Sequence, residues 1–164
     1  MTRMIVIIMG VSGSGKTTIG SLLASRLRWE FADADDFHPA SNVEKIRNGI
    51  PLTDEDREPW LDRLREAIDR WILDGKNVVL ACSALKRAYR ANLAAGPQVR
   101  FVYLKGSAKL IADRLRSRYG HFAGESILAS QIADMEEPEG AFTVEISHTP
   151  ELIVDEIRKA LQLE

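Results

Sequence analysis

The sequence predicts an α/β fold, a parallel sheet with helices on both faces. Short strand-like runs alternate with stretches of helical spacing, which implies βαβ units and hence parallel pairing. A glycine-rich turn joins the first run to the first helix. The chain of 164 residues is long enough for one such sheet. No repeat, low-complexity tract or linker divides it, so residues 1–164 are expected to form a single domain.

The elements follow in order. Met4 to Met9 is an uninterrupted apolar run and reads as a buried strand. Thr17 to Arg28 has helical spacing, with Ile19, Leu22, Leu23 and Leu27 on one side. Trp29 to Asp33 reads as the second strand, and Asn42 to Asn48 as a short helix ended by Gly49 and Pro51. Glu58 to Asp74 is a longer amphipathic helix stopped by Gly75, followed by a buried strand from Asn77 to Cys82. A helix from about Ala84 to Ala95, a strand from Val99 to Leu104 and a helix from Ser107 to Tyr119 come next. Thr143 to Ile146 supplies the fifth strand, and Pro150 opens the last helix. Two stretches break the rhythm. Residues 34–57 are a polar, mostly helical insertion, and 119–126 carry two glycines between helices. They are the expected places for a substrate cap and a closing lid, the latter over about 114–126.

Composition narrows the function. A net charge of −2 gives no polycationic footprint for nucleic acid or an anionic membrane surface. Met4 to Met9 is far too short to span a bilayer, and no signal-peptide pattern is present. Cys82 is the only cysteine, which excludes an intramolecular disulfide. No two of His38, His121 and His148 have metal-ligand spacing. These features fit a cytoplasmic enzyme.

Gly10-Val11-Ser12-Gly13-Ser14-Gly15-Lys16-Thr17 matches the phosphate-binding pattern G-x-x-x-x-G-K-[ST], set between a strand and a helix as that chemistry requires. Its glycines let backbone N–H groups converge on phosphate oxygens, and the helix N-terminus adds partial positive charge. Gly10, Ser12, Gly13, Ser14, Gly15, Lys16, Thr17 and Thr18 are therefore the expected residues for binding a nucleoside triphosphate. Lys16 would reach the β- and γ-phosphates, and the Thr17 hydroxyl would hold Mg²⁺.

Asp33 and Asp35 lie two apart at a strand end, so both can face one side. Ligands of open α/β sheets bind beyond the carboxyl ends of strands, which puts this pair near the phosphate loop. Asp33 could hold Mg²⁺ through water, and Asp35 could accept the proton of an attacking hydroxyl. The central strand ends in Leu80-Ala81-Cys82-Ser83 and offers no carboxylate for the metal, which strengthens that assignment. Arg114 and Arg118 share a helix face just before the lid and could neutralise a transferring phosphoryl group. Lys86 and Arg90, again one turn apart, could clamp an anionic acceptor, and Arg57 could close the same pocket. His38 could touch substrate or cap a turn. Trp60 and Trp71 read as helix core, and Cys82 as a small apolar strand residue. A guanine-reading N-K-x-D is absent, which argues against a GTPase switch.

Several segments are more specific than the loop. Phe31 to Pro39 contains D-x-D-x-x-H-P, and Leu52 to Trp60 reads L-x-D-x-D-R-x-P-W. Asn42, Glu44 and Lys45 lie between them, and Cys82-Ser83-Ala84-Leu85-Lys86, Gly120-His121-Phe122, Ser130-Gln131 and Glu136-Glu137-Pro138 follow. Together with the loop, these resemble the small gluconokinases of the P-loop kinase superfamily over nearly the whole chain. The resemblance implies a three-layer P-loop kinase fold with a five-stranded parallel sheet, an inserted cap and a mobile lid. It implies ATP, Mg²⁺, D-gluconate phosphorylated at its C6 hydroxyl, and a possible homodimer. By position, Lys16, Asp35, Arg114 and Arg118 would be catalytic, with Thr17 and Asp33 at the metal. Asp35, His38, Arg57, Lys86, Arg90 and Gln131 would bind substrate. The sequence departs from the family pattern at Ala34, Asp36, Ala123-Gly124-Glu125 and Ile132. A related small-metabolite kinase, shikimate-like or acting on another sugar acid, is the alternative reading.

Overall fold

The computed structural model describes residues 3–119 and 124–163, without the side chains of residues 118, 119 and 124–126. Five strands form one parallel sheet: β1 (Ile5–Met9), β2 (Glu30–Asp33), β3 (Val78–Ala81), β4 (Val99–Lys105) and β5 (Phe142–Glu145). Their order is β2-β3-β1-β4-β5. Between and after them run α1 (Lys16–Leu27), α2 (Ala40–Arg47), α3 (Asp54–Leu73), α4 (Arg87–Leu93), α5 (Ala108–Tyr119), α6 (Gly124–Asp134) and α7 (Pro150–Leu161).

β1 shows why the run Met4 to Met9 has no polar alternation. All five strand residues are buried, because a central parallel strand is covered on both faces. Side chains alternate, so one strand feeds two cores. Val6 and Ile8 pack with Ile19, Leu23 and Leu27 of α1 and with Ile153, Val154 and Ile157 of α7. Ile5, Ile7 and Met9 pack with Trp60, Leu64 and Ile68 of α3 and Leu93 of α4. β1 also lies between β3 and β4, where the chain reverses its direction of winding. That switch point opens a crevice beyond the carboxyl ends of the strands.

Four elements differ from the sequence reading. α3 starts at Asp54, one turn before the expected Glu58. Thr53 Oγ1 accepts from the Asp56 N–H while the Asp56 carboxylate accepts from the Thr53 N–H, a reciprocal capping box. Pro59 lies inside this helix and forgoes one backbone bond. Asp35 sits not on a strand but in a 3₁₀ turn, Ala34–Phe37, which Asp33 caps by accepting the Asp35 N–H. α4 starts at Arg87 rather than near Ala84, since Ala84 has φ 44° and Lys86 is extended. The Arg87 N–H is met by the distant Glu136 carboxylate, a cap that no local pattern reveals. α6, to which the sequence reading gave no bounds, precedes β5 in the chain. The Gly120-His121-Phe122 segment lies outside the described residues.

Candidate active site

The crevice contains two cavities that share a wall. The larger, about 710 Å³, is lined by the loop from Ser12 to Thr18, by Asp33 and Asp35, and by Arg114, Ile146 and His148. The smaller, about 120 Å³, is lined by His38, Leu52, Arg57, Trp60, Ser130 and Gln131 among others. Ser12, Lys16, Asp35 and Ser83 line both.

The loop is built for backbone convergence. Gly13 and Gly15 have φ of 82° and 100°, a region costly for any residue with a Cβ. A Cβ on Gly13 would also come within 2.8 Å of Leu115 Cγ, so α5 presses directly on the loop. Ser14 is buried, and its hydroxyl meets no hydrogen-bonding partner among the described residues. Such an orphan is costly unless a ligand completes it, and a phosphate oxygen fits that need. Lys16 Nζ donates to the Val11 carbonyl at 3.0 Å, which holds the ammonium across the loop. The Gln131 side-chain oxygen accepts the Ser12 N–H at 2.6 Å, tying α6 to the same loop.

Thr17 and Asp33, the two residues expected at the metal, are in contact. Thr17 Oγ1 donates to Asp33 Oδ2 at 2.9 Å, while Asp33 Oδ1 accepts the Asp35 N–H at 3.0 Å. A hydroxyl beside a carboxylate offers the hard oxygen ligands that Mg²⁺ prefers, so these residues fit a metal held jointly with phosphates. Asp35 is exposed and lines both cavities, yet nearby protein atoms displace part of the water around its carboxyl. That loss of hydration raises its pKa, and the neighbouring Asp33 raises it further, against the pull of Lys16. The direction is up, toward a better proton acceptor. Desolvation lowers the pKa of Lys16, opposed by Asp35, Cys82 and Asp33. Burial pushes the Cys82 thiol up to about 12, which leaves it inert as a nucleophile.

The acceptor side departs from the expected cation clamp. Arg90 is buried and donates to the carbonyls of Ala84, Leu85 and Glu136 at 2.7, 3.0 and 2.7 Å. Its guanidinium fixes the turn before α4 and does not line the acceptor cavity. Lys86 also lies outside that cavity, paired with Asp54 at 2.8 Å. Beside Lys16 on the shared wall, the cation that lines this cavity is Arg57. Its Nη1 donates to Tyr89 Oη at 2.9 Å and to Asp134 Oδ2 at 3.0 Å. Among the described residues its Nε and Nη2 donors have no partner. Tyr89 in turn donates to Asp54, which pairs with Lys86, and the Tyr89 ring lies between the Arg57 and Lys86 charges. Arg114 lines the larger cavity with Nη2 donating to the Ile146 carbonyl at 2.7 Å. Arg118 falls in α5, but its side chain lies outside the described ones.

Some lining residues escaped the sequence reading. Ser83 lies two residues past β3, and its place at a strand's carboxyl end was the available signal. Trp60 is core as expected, yet it also walls the acceptor cavity, with Nε1 donating to the Ala34 carbonyl at 2.7 Å. Ile146 and His148 carried no signal, because only the folded β5–α7 connection brings them to the crevice.

Comparison with known proteins gives the family and the fold. The family model described as shikimate kinase matches residues 12–157. A protein named probable gluconokinase from Xenopus tropicalis is 45% identical, over 94% of this chain and 91% of its own. The chain belongs to the gluconokinase family. A gluconokinase from Gluconobacter oxydans is 42% identical over 97% of this chain and 92% of its own. The crystal structure of a gluconokinase from Sinorhizobium meliloti superposes with a TM-score of 0.88 at 38% identity, covering 98% and 92% of the two chains. As in that family, the chain is a kinase of P-loop type, and among the described residues no helix is long and apolar enough to cross a membrane.

Proposed function

We propose that the protein transfers the γ-phosphoryl group of ATP to the C6 hydroxyl of D-gluconate, giving 6-phospho-D-gluconate and ADP. The observation that carries this reading is the shared wall: Lys16 and Asp35 face both cavities, so donor and acceptor meet there. The loop N–H groups and Ser14 hold the phosphates, and Lys16 stabilises the negative charge that spreads over the moving group. Thr17 and Asp33 would hold Mg²⁺, which when bound neutralises charge on the β- and γ-phosphates. Asp35 orients the C6 hydroxyl and accepts its proton as the new P–O bond forms. Arg57 presents its free Nε–Nη2 edge to the gluconate carboxylate, a planar fork suited to bidentate binding. Arg114 supports the nucleotide side, and Arg118 joins it by position in the same helix.

An assay of ADP release with ATP, Mg²⁺ and a panel of sugar acids, shikimate included, tests the reaction. Gluconate should give the highest kcat/KM, and preference for another acceptor would overturn the proposal. A cytoplasmic location, a possible homodimer and no nucleic-acid partner complete it, the second open to measurement by sedimentation.

A further inference from the structure

His38 touches the cavity through an edge that its neighbours determine. Its ring stacks on Trp60 with centroids 4.5 Å apart and planes 11° from parallel, so one face is closed. Its Nδ1 lies 3.2 Å from Asn42 Nδ2. Asn42 is buried, in α2 of the cap, and the same Nδ2 lies 2.7 Å from the main-chain carbonyl of Asp56. A carbonyl oxygen only accepts, so the Asn42 atom facing it must be the NH₂ group, and the amide cannot be flipped. That group has two hydrogens. One goes to Asp56, and the other points at Nδ1, which must therefore be the bare, accepting nitrogen. At neutral pH the ring is uncharged, since burial and the Arg57 charge push its pKa down to about 4. Its single proton is left on Nε2, for which no described residue provides an acceptor.

We propose that Asn42 is a positioning residue that locks His38 as the Nε2–H tautomer, so that the ring enters the acceptor cavity as a hydrogen-bond donor to a hydroxyl of the sugar acid. This rests on the proposed acceptor and adds a way of reading it. Asp35 accepts from the hydroxyl that reacts, whereas His38 donates to one that does not. The lock is anchored outside the cavity. The Asp56 carbonyl is fixed because its own side chain caps α3 through Thr53 and pairs with Lys45 of α2 at 2.8 Å. A capping box thus sets the proton on a ring in the site.

Nitrogen-15 NMR of the intact protein without substrate reads the tautomer directly, with the His38 signals assigned by their loss in His38→Gln. The expected spectrum shows a bare Nδ1 and a protonated Nε2 near pH 7. A protonated Nδ1 overturns the proposal whatever the acceptor proves to be. Asn42→Asp replaces the donor by an acceptor and should move the proton to Nδ1. The KM for gluconate should then rise about tenfold, the scale of one lost hydrogen bond, with little change in the KM for ATP. Equal changes in both KM values with an unaltered tautomer would mark Asn42 as merely structural and sink its role. Gluconate analogues lacking one hydroxyl each complete the test with folded proteins only. One analogue should lose about tenfold in kcat/KM with the natural chain and little with His38→Leu. Uniform losses in both proteins would overturn the donation to substrate. Absence of gluconate turnover by the natural chain would instead refute the proposed reaction, and the spectrum would still decide the tautomer.

Discussion

The donor half and the acceptor half of the crevice are built in opposite ways. Residues 10–18 are one contiguous segment, and their chemistry is carried by backbone N–H groups, one lysine and the hydroxyls of Ser14 and Thr17. The acceptor half gathers His38, Arg57 with Trp60 on α3, Ser83 and Gln131 from four separate places in the chain. In the first, function is local and spacing determines it. In the second, the partner of each side chain decides whether it faces the cavity at all. The contrast between Arg57 and Arg90 makes the point, since both are buried cations with at least two hydrogen bonds. Arg57 binds through one nitrogen and keeps an edge free, whereas Arg90 uses both terminal nitrogens on backbone carbonyls.

The largest expected effect falls on the shared wall. Asp35→Asn keeps the shape but cannot take a proton, and kcat should fall about 10²–10⁴-fold, the range of general-base catalysis, while ATP still binds. Near-normal turnover would remove Asp35 from the mechanism. The pH profile gives a second reading. Protonated Asp35 cannot act as a base, and its pKa is raised, so kcat/KM should decline from a pH above that of an ordinary aspartate. A decline only below that value would show that the Asp35 carboxyl is not stripped of its hydration in solution.

Arg57→Met comes next and probes the acceptor half alone. Loss of a charged pair of hydrogen bonds should raise the gluconate KM roughly 10–100-fold, with a smaller effect on the ATP KM. The change also strands Asp134 and Tyr89, so unfolding should be followed beside the kinetics. A change confined to the ATP KM would reverse the assignment of the two cavities.

How far the sequence could be read follows the same division. The sheet was legible from apolar runs, and the loop, Thr17 and Asp33 from spacing. Asp35 was placed in the right cavity for the wrong local reason, because a 3₁₀ turn capped by Asp33 replaces strand alternation. The clamp of Lys86 and Arg90 was not legible. Helical spacing says that two cations share a face, but not that Glu136 and Leu85 present carbonyls to one and Asp54 a carboxylate to the other. Nor could Thr53 be seen to start α3 ahead of Pro59 without the reciprocal cap on Asp56. The Glu136 partner of Arg90 lies 46 residues away, beyond any local pattern.

Arg90→Ala therefore should act on folding rather than on substrate. Three carbonyls lose their donor in a buried turn, and stability should drop by roughly 1–3 kcal/mol per acceptor left unsatisfied, less where water can enter. Thermal unfolding would show the loss, and the gluconate KM of the folded fraction should stay close to that of the natural chain. A selective rise in that KM with unchanged unfolding would restore Arg90 to the acceptor clamp.

The smallest effect is expected for Lys86→Ala, and for that reason it tests the comparison most sharply. Lys86 and Arg57 have the same charge and belong to one chain of hydrogen bonds through Asp54 and Tyr89. Charge alone would therefore predict similar consequences. Exposure predicts otherwise: the Lys86 and Asp54 side chains are 28% and 64% exposed, and solvent screens such a pair. The gluconate KM should change by less than about threefold, as for a surface ion pair, and the change should shrink with added salt. If it instead approached the effect of Arg57→Met, the carboxylate of the acceptor would have to reach the α4 side of Tyr89. The cavity beside His38 and Trp60 would then hold only part of the molecule. Arg57→Lys separates the two cases, because it keeps the charge but removes the planar fork on which bidentate binding depends.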